Sequence, residues 1–360
     1  PDLPPIYRKV FDLEPVEDRR LAAARETEVT AVLAALEQVH SEEGAAGPAR
    51  RARGRVLVEG LRGSGRTTFL NMLEREAKTR RLVRVDASFH PRGEGLVGAL
   101  AAELGCPDYP LAVTQTLVAE PTLVLIDDLS HHVMPNPAGL DELEELLRIV
   151  VDTSRQVAWV ATAETGELPV LAELVPIFGV FSHRHRLAPL NAQALSRVVE
   201  ARVNLTGLEL DFPSAGWFDL LRRGGRDERA RSRYFEALAR ASGGNLREAL
   251  LLHLSSLRPE AEGRLMVAPP EPMAVPLIGR LGAGSLACMA MVARFGPLLD
   301  GELAEILLIS RDEAQRYTAA LLHAGLLRQD ERRLLRLPVH AQRPLTRALA
   351  QLGLVTEEVA

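Results

Sequence analysis

The sequence is organised around the stretch Val56-Leu-Val-Glu-Gly60-Leu-Arg-Gly-Ser-Gly65-Arg-Thr-Thr-Phe-Leu70. Its first residues are apolar and largely β-branched, which predicts a buried strand. Three glycines follow within six residues, and a helical pattern then runs to about Lys78. Glycines let the backbone turn its N–H groups toward an anion, and the start of a helix adds unpaired donors and the positive end of a dipole. The stretch therefore predicts a phosphate-binding loop.

One position departs from the phosphate-loop motif G-x-x-x-x-G-K-[ST]. Gly60, Gly65 and Thr67 match it, but residue 66 is arginine. Only two of the 43 basic residues are lysine, so composition accounts for part of this change. A guanidinium keeps the charge, but it is planar and wider than an ammonium, so the two are not interchangeable at a tight phosphate site. We expect the loop to bind ATP or ADP, and we leave its rate of hydrolysis open. The alternative is a glycine-rich turn without a ligand.

The expected contacts of the nucleotide are residues of this loop: Gly60, Gly63, Ser64, Gly65, Arg66, Thr67 and Thr68. The Thr67 hydroxyl is placed to ligate Mg²⁺ on the β- and γ-phosphates.

Two further apolar strands end in polar side chains. Residues 122–127 end at Asp127 and are followed by Asp128, and residues 157–162 end at Thr162. The chemistry requires an acid to hold Mg²⁺, which we assign to Asp127, and a second acid to polarise a water, which we assign to Asp128. Thr162 is positioned to orient that water. The alternatives are two solvated acids and an ordinary threonine at a strand end.

Arginines supply two more candidates. Arg247 lies one turn into a helix that opens with Gly-Gly-Asn, from which its guanidinium could reach a γ-phosphate; the alternative is a surface arginine. Arg184 and Arg186 precede or begin the fifth strand, where they form either an arginine finger for a neighbouring subunit or a solvated turn.

The pattern of strands and helices predicts an α/β fold with a parallel sheet covered on both faces. The predicted strands are Arg55–Glu59, Leu82–Asp86, Thr122–Asp127, Gln156–Thr162 and about Arg184–Leu190, with helices near 66–78, 92–105, 139–152 and 191–205. The predicted units are an N-terminal arm and helix (1–54), a phosphate-loop core (55–190), a helical lid (191–257), a linker (258–284) and a C-terminal domain (285–360).

Residues 285–360 predict three helices followed by a hairpin, the arrangement of a winged helix. In that arrangement Arg311, Gln315, Arg316 and Tyr317 would face a DNA groove, with Arg328, Arg332 and Arg333 near a phosphate. Duplex DNA is thus a candidate partner for residues 310–336. The domain nevertheless carries nine arginines and nine acids, whereas DNA affinity depends largely on phosphate contacts. A protein contact or an autoinhibitory role is about equally consistent with this balance.

Bulk composition restricts the class of protein. The chain is 47% hydrophobic and 25% charged, which is typical of a soluble globular protein, and it has no apolar run long enough to span a membrane. Its two cysteines lack metal-type spacing, which fits a cytoplasmic location. A net charge of −5 argues against general coating of nucleic acid. The scarcity of lysine suggests a GC-rich bacterial source.

Together, these motifs resemble the AAA+ ATPases, and within them the initiator clade of origin-recognition and helicase-loader proteins. Beyond the phosphate loop and acidic strand, the resemblance is carried by Arg25-Glu26 on the first helix and by the Gly-Asn-x-Arg motif at 244–247. It implies that Asp127 associates with Mg²⁺, that Asp128 replaces the usual catalytic Glu, and that Thr162 and Arg247 are the two sensors. It also implies a homo-oligomer or a protein partner.

Three functions fit the sequence. The first is an AAA+ ATPase that acts on DNA and switches state with ATP, with hydrolysis slowed by Arg66 and Asp128. The second is a signalling switch of the STAND type, in which a late histidine of the winged helix touches the nucleotide; His340 occupies a comparable place. The third is a non-hydrolysing scaffold that uses nucleotide as a structural element.

Overall fold

The structure is a computed structural model, and it describes residues 3–13, 18–21, 24–40, 54–79, 81–86, 95–129, 137–181, 183–212, 226–259, 264–271 and 278–355.

Five parallel strands form the central sheet, in the spatial order β2-β3-β4-β1-β5. They are β1 (Arg55–Gly60), β2 (Arg81–Asp86), β3 (Thr122–Asp127), β4 (Val157–Glu164) and β5 (His183–Arg186). The register places Val58 beside Thr162 and Asp86 beside Asp127. The carboxyl ends of β1, β3 and β4 therefore meet at one edge, where open α/β sheets bind ligands. The predicted α/β fold with a parallel phosphate-loop sheet is confirmed.

Helices bury both faces of this sheet. They are α2 (Glu26–His40), α3 (Arg66–Glu76), α4 (Gly95–Leu104), α5 (Pro110–Val118), α6 (Pro137–Asp152), α7 (Leu168–Leu174) and α8 (Ile177–Val180). Val56 and Val58 pack with Phe69 of α3 on one face, while Leu57 packs with Trp159 on the other. Side chains of a strand alternate between faces, so burial of both faces explains why β1 is apolar throughout.

The lid combines helices with a small sheet. Its elements are α9 (Ala192–Asn204), β6 (Glu209–Asp211), α10 (Arg226–Ser242), α11 (Leu246–Ser256), β7 (Leu257–Pro259) and β8 (Arg264–Val267), and its strands lie in the order β6-β8-β7. The N-terminal helix α1 (Pro5–Val10) joins the same core through Tyr7, and Tyr7 stacks on Phe11 with ring centroids 4.4 Å apart. The sequence had predicted an extended arm there, which was wrong because this apolar pair is buried in the lid.

A closed chain of hydrogen bonds ties α1 to the lid. The Tyr7 hydroxyl lies 2.8 Å from Nε2 of His253, and the Tyr234 hydroxyl lies 2.8 Å from its Nδ1. Ser256 donates its proton to the carbonyl of His253, so Tyr234 donates to Ser256 and accepts from Nδ1–H. Nε2 is then the acceptor for Tyr7. Burial lowers the pKa of His253 to about 3, which keeps the ring neutral.

The C-terminal domain contains α12 (Ala283–Phe295), α13 (Asp300–Leu307), α14 (Arg311–His323), β9 (Arg328–Gln329), β10 (Leu335–Arg336) and α15 (Gln342–Gln351). The predicted three helices and hairpin are present, and Ser310 caps α14 in a capping box with Glu313. Tyr317 departs from its predicted place on a DNA-facing surface. A Cβ added at Gly284 would lie 2.3 Å from the Tyr317 ring, so this side chain packs against α12.

Several short elements were not predicted, namely α1, α5, α7, α8, α15 and the strands of the lid sheet. Two of those strands reach into the predicted linker 258–284, because Pro259 and Leu265 pair as neighbours in the lid. The N-terminal linker residues 41–53 lie outside the described residues, and the domain boundaries stay predictions. No helix in the described ranges is long and apolar enough to cross a membrane.

Candidate functional site

The phosphate loop connects β1 to α3 through left-handed glycines. Gly63 has φ +82° and Gly65 has φ +93°, a region that a side chain would strain. Gly60 is required for a different reason: a Cβ there would lie 2.5 Å from the Ser64 hydroxyl. No side chain caps the start of α3, so its first N–H groups remain directed at the loop. This backbone is suited to binding an anion.

Three predicted residues meet at the ends of β3 and β4. The Thr162 hydroxyl donates to an Asp127 oxygen at 2.9 Å and accepts from the Asp128 N–H at 2.8 Å. The Thr67 hydroxyl also hydrogen-bonds Asp127. Burial raises the pKa of Asp127, and the bond from Thr67 opposes that rise. Asp127 is 4% exposed, so its carboxylate is held in a fixed position.

The oxygen atoms of Thr67 and Asp127 fit Mg²⁺ chemically, since this ion takes hard oxygen ligands and retains waters. Among the described residues there is no group of three or more His, Cys, Asp or Glu side chains that could hold a metal. The ion would therefore be held by these two side chains together with phosphate oxygens and water. Mg²⁺ bound there would neutralise charge on the phosphates.

Arg66 does not extend into an open loop; it forms an ion pair. Its Nη2 and Nη1 atoms lie 3.1 Å and 3.4 Å from the two Asp128 oxygens, and Nη2 lies 3.9 Å from Glu164. Burial alone would lower the pKa of Arg66, but the neighbouring carboxylates, chiefly Asp128 and Glu164, raise it above its usual range. The two positions that depart from the family pattern thus contact each other. The assignment of Asp128 as a catalytic acid stays a prediction.

Sequence reasoning missed Arg62 and Glu164. Arg62 lies in the loop, and its Nε and Nη2 contact a Glu164 oxygen at 3.0 Å and 2.9 Å. The signal was available, because Glu164 is two residues after Thr162 and strand alternation puts both on the same side. The predicted strand ended at Thr162, which hid this relationship.

The lid rests directly on the phosphate loop. The Arg247 N–H donates to the Gly63 carbonyl at 3.0 Å, and the Asn245 amide donates to the Arg62 carbonyl at 2.8 Å. A Cβ at Gly63 would lie 2.8 Å from the Cβ of Arg247. The first residues of α11 therefore approach the loop as closely as a glycine allows.

The surroundings of Arg247 disfavour its positive charge on balance, although the Glu164 carboxylate opposes this effect. No carboxylate of the described residues lies within salt-bridge distance of its guanidinium. Burial, and then the positive charges of Arg62 and Arg66, lower the pKa of this side chain. A bound anion would relieve both effects, so the arrangement favours a phosphate group between the loop and the lid.

Arg25 supports the loop from the N-terminal side. Its Nη2 donates to the Ser64 carbonyl at 3.1 Å and its Nη1 to the Ala188 carbonyl at 2.8 Å, while Glu28 accepts at 2.7 Å. The Arg25-Glu26 motif quoted above thus contributes its arginine to the site.

The arginine-finger candidates take different positions. Arg184 contacts the buried Glu59 carboxylate, and its guanidinium lies 3.9 Å from the centre of the Phe178 ring. It therefore stabilises its own sheet. Arg186 is exposed at the end of β5, where its predicted role stays untested.

The C-terminal domain closes one side of the site. A cavity of ≈ 130 Å³ is lined by Arg62 and Arg247 together with His340 and Arg343 of this domain. Arg343 forms an ion pair with Glu248 of the lid at 2.9 Å. His340 and Arg62 of the phosphate loop therefore lie on the walls of one cavity.

Comparisons with known proteins gave matches among solved structures. No protein-family model and no curated protein sequence matches this chain. The fold is similar to that of the ORC2 protein of Aeropyrum pernix, solved as ADPNP–ADP complexes, with 17% identity and a TM-score of 0.49 over 96% of this chain and 98% of that chain. Cdc6p of Pyrobaculum aerophilum has 15% identity and a TM-score of 0.45, over 96% of this chain and 98% of that chain. The ORC1 protein of Aeropyrum pernix, solved in complex with DNA, has 18% identity and a TM-score of 0.41, over 96% of this chain and 97% of that chain.

The assignment of the fold itself depends on the strand order and the phosphate loop described above.

Proposed function

We propose that the protein is an ATP-binding switch with an AAA+ core, in which Arg247 of the lid reports the phosphate state of the nucleotide. The observation that carries this proposal is the Arg247 guanidinium above the loop, which forms no ion pair within the described residues and lies beside the Thr67–Asp127–Thr162 cluster. Arg62 and Arg66 are paired with Glu164 and Asp128, and a phosphate anion would offset the remaining repulsion between these arginines and Arg247. ADP and ATP are both ligands in this account, and Mg²⁺ accompanies them.

Hydrolysis is slow in this account. The Arg66 guanidinium and the Asp128 carboxylate bind each other, so this pair must open before either group can act on a phosphate or an attacking water. A pair of this kind supports nucleotide retention rather than rapid turnover. The same ion pair also supports a non-hydrolysing scaffold, which differs from a slow ATPase only in its rate of hydrolysis.

Duplex DNA is the proposed partner of the C-terminal domain, which we take to be a winged helix. Arg311, Gln315 and Arg316 are exposed on α14, and Arg328 and Arg333 are exposed on the hairpin. Tyr317 is removed from the proposed surface because it packs on Gly284. Assembly with further copies or with another protein, and a cytoplasmic location, are part of the same proposal.

A second function, a STAND-type signalling switch, is favoured by one observation. His340 lines the cavity that is also lined by Arg62 and Arg247, so a residue of the C-terminal domain shares a cavity with two arginines of the candidate site. In that case the C-terminal domain would hold the nucleotide-bound state closed and would not require DNA.

One experiment separates these functions. ATP turnover and duplex-DNA binding are measured on the purified chain at increasing salt, beside Arg66→Lys and Arg316→Ala variants. Turnover stimulated by DNA, and a DNA affinity that falls with salt and with Arg316→Ala, support the DNA-associated switch. Nucleotide binding without any DNA binding overturns that function and leaves the signalling switch. Turnover that rises in Arg66→Lys supports a site adapted to retain nucleotide.

A further inference from the structure

The contact between Arg66 and Asp128 has a consequence for how nucleotide enters the site. The cation at this loop position ordinarily reaches the β- and γ-phosphates. Here the two terminal nitrogens of Arg66 face the two oxygens of Asp128 as a fork, at 3.1 Å and 3.4 Å. This is the forked, charge-assisted form of ion pair, with both contacts longer than the roughly 2.7–2.9 Å of the strongest such bonds. The end of the guanidinium that a phosphate would use is therefore already bound to a carboxylate.

The pair is also held from both sides. The Arg66 side chain is 9% exposed and that of Asp128 is 25% exposed, so water screens the pair only in part. The Asp128 N–H is fixed by Thr162, and Glu164 lies 3.9 Å from Arg66. Asp128 has φ +55°, a left-handed conformation that aspartate tolerates and that directs its carboxylate from a fixed backbone position.

We propose that Asp128 is a positioning residue for Arg66, and that a nucleotide phosphate must displace the Asp128 carboxylate from the guanidinium in order to bind. This inference rests on the proposed nucleotide-binding function and specifies its regulation. Phosphate and carboxylate compete for one fork of donors, so the negative charge of Asp128 weakens nucleotide binding. Displacement releases the Asp128 carboxylate only while phosphate occupies Arg66, which ties any action of this acid on water to a loaded site.

Asparagine is the suitable substitution at Asp128. It removes the charge, keeps the shape and tolerates positive φ, so the backbone contact with Thr162 is retained. Loss of a competing hydrogen bond to a charged group changes an affinity by roughly tenfold or more. Asp128→Asn should therefore bind Mg·ADP about tenfold more tightly than the unchanged protein.

Two controls separate competition from general electrostatics. Asp86→Asn removes an equal charge from the neighbouring strand end, where Asp86 contacts Arg84. Its effect on Mg·ADP affinity should be no more than about threefold, since only the long-range electrostatic interaction with the nucleotide changes. In an Arg66→Lys background the ammonium can pair with Asp128 but cannot make the fork, so the gain from Asp128→Asn should be clearly smaller.

The test is calorimetric titration of Mg·ADP and Mg·ATP into the full chain and these variants, after circular dichroism shows that each is folded. A tenfold gain in Asp128→Asn that is absent from Asp86→Asn and reduced in the Arg66→Lys background supports the proposal. Unchanged or weaker binding in Asp128→Asn, while the unchanged protein binds nucleotide, overturns it. Absence of nucleotide binding in every protein overturns the proposed function itself.

Discussion

Gly63 offers a direct perturbation of the contact between loop and lid. Its φ of +82° lies in the region that glycine adopts without strain, and a Cβ there would lie 2.8 Å from the Cβ of Arg247 and 2.9 Å from Oδ1 of Asn245. Both atoms belong to the start of α11, and a Cβ cannot move without its backbone. Gly63→Ala should therefore push α11 away from the loop and break the Arg247 N–H bond to the Gly63 carbonyl.

The expected loss in the free energy of unfolding of Gly63→Ala has two parts. A non-glycine residue in the left-handed region costs roughly 1–2 kcal/mol. Overpacking of a close contact costs about 1–3 kcal/mol more. We therefore expect Gly63→Ala to lower the free energy of unfolding by about 2–5 kcal/mol, unless the lid swings out and avoids the second part. In that event the loss appears instead as weaker ATP binding, because Arg247 is carried away from the loop.

The assay is urea unfolding in the absence of nucleotide, combined with titration of Mg·ATP. Gly98 provides the matched control: it lies within α4, and a Cβ there meets nothing within 4 Å. Gly98→Ala should stabilise the chain by about 0.5–1 kcal/mol, since alanine favours the helix. A Gly63→Ala protein with unchanged stability and unchanged ATP affinity would refute the described contact between loop and lid.

Two further outcomes follow from the charges. Arg247→Gln should reduce ATP affinity about tenfold and ADP affinity less than about twofold, because the guanidinium is expected to bind the terminal phosphate; an equal loss for both nucleotides in titrations would contradict that role. For His253, the folded pKa of about 3 lies below the ordinary 6.5, so its stabilising contribution is complete above pH 6.5 and is lost as pH falls toward 3. Between pH 6.5 and pH 5 the unchanged protein should lose roughly 1.5 kcal/mol more stability than His253→Phe; equal losses in urea unfolding would show that His253 is not buried neutral.

The parts of the fold that follow from local pattern could be predicted from the sequence. The apolar run of β1, the acidic end of β3 and the capping box of α14 are all encoded within a few neighbouring residues. The phosphate loop and the Thr162–Asp127 contact follow from these strands, because parallel strands deliver their ends to one edge.

Other features depend on tertiary packing, which the local pattern does not contain. Short helices such as α1 are marginal alone and are stabilised by burial, here through Tyr7 in the lid. The pairing of Arg66 with Asp128 depends on the distance between the ends of β1 and β3, which are separated by β4 in the sheet. From the sequence, Asp128 was interpreted as a replacement for the usual catalytic glutamate. Its φ of +55° gives a physical reason for aspartate at this position, because aspartate tolerates that conformation better.

The most direct test of the central claim is calorimetric titration of Mg·ATP into the purified chain, beside a Thr67→Ala variant. Thr67 contacts Asp127 and is expected to ligate Mg²⁺, so its loss should weaken Mg²⁺-dependent binding about tenfold or more. We expect one ATP bound per chain, with an affinity that falls in Thr67→Ala and on removal of Mg²⁺. Absence of saturable binding by the unchanged protein, or binding that neither change affects, would contradict the nucleotide-binding function.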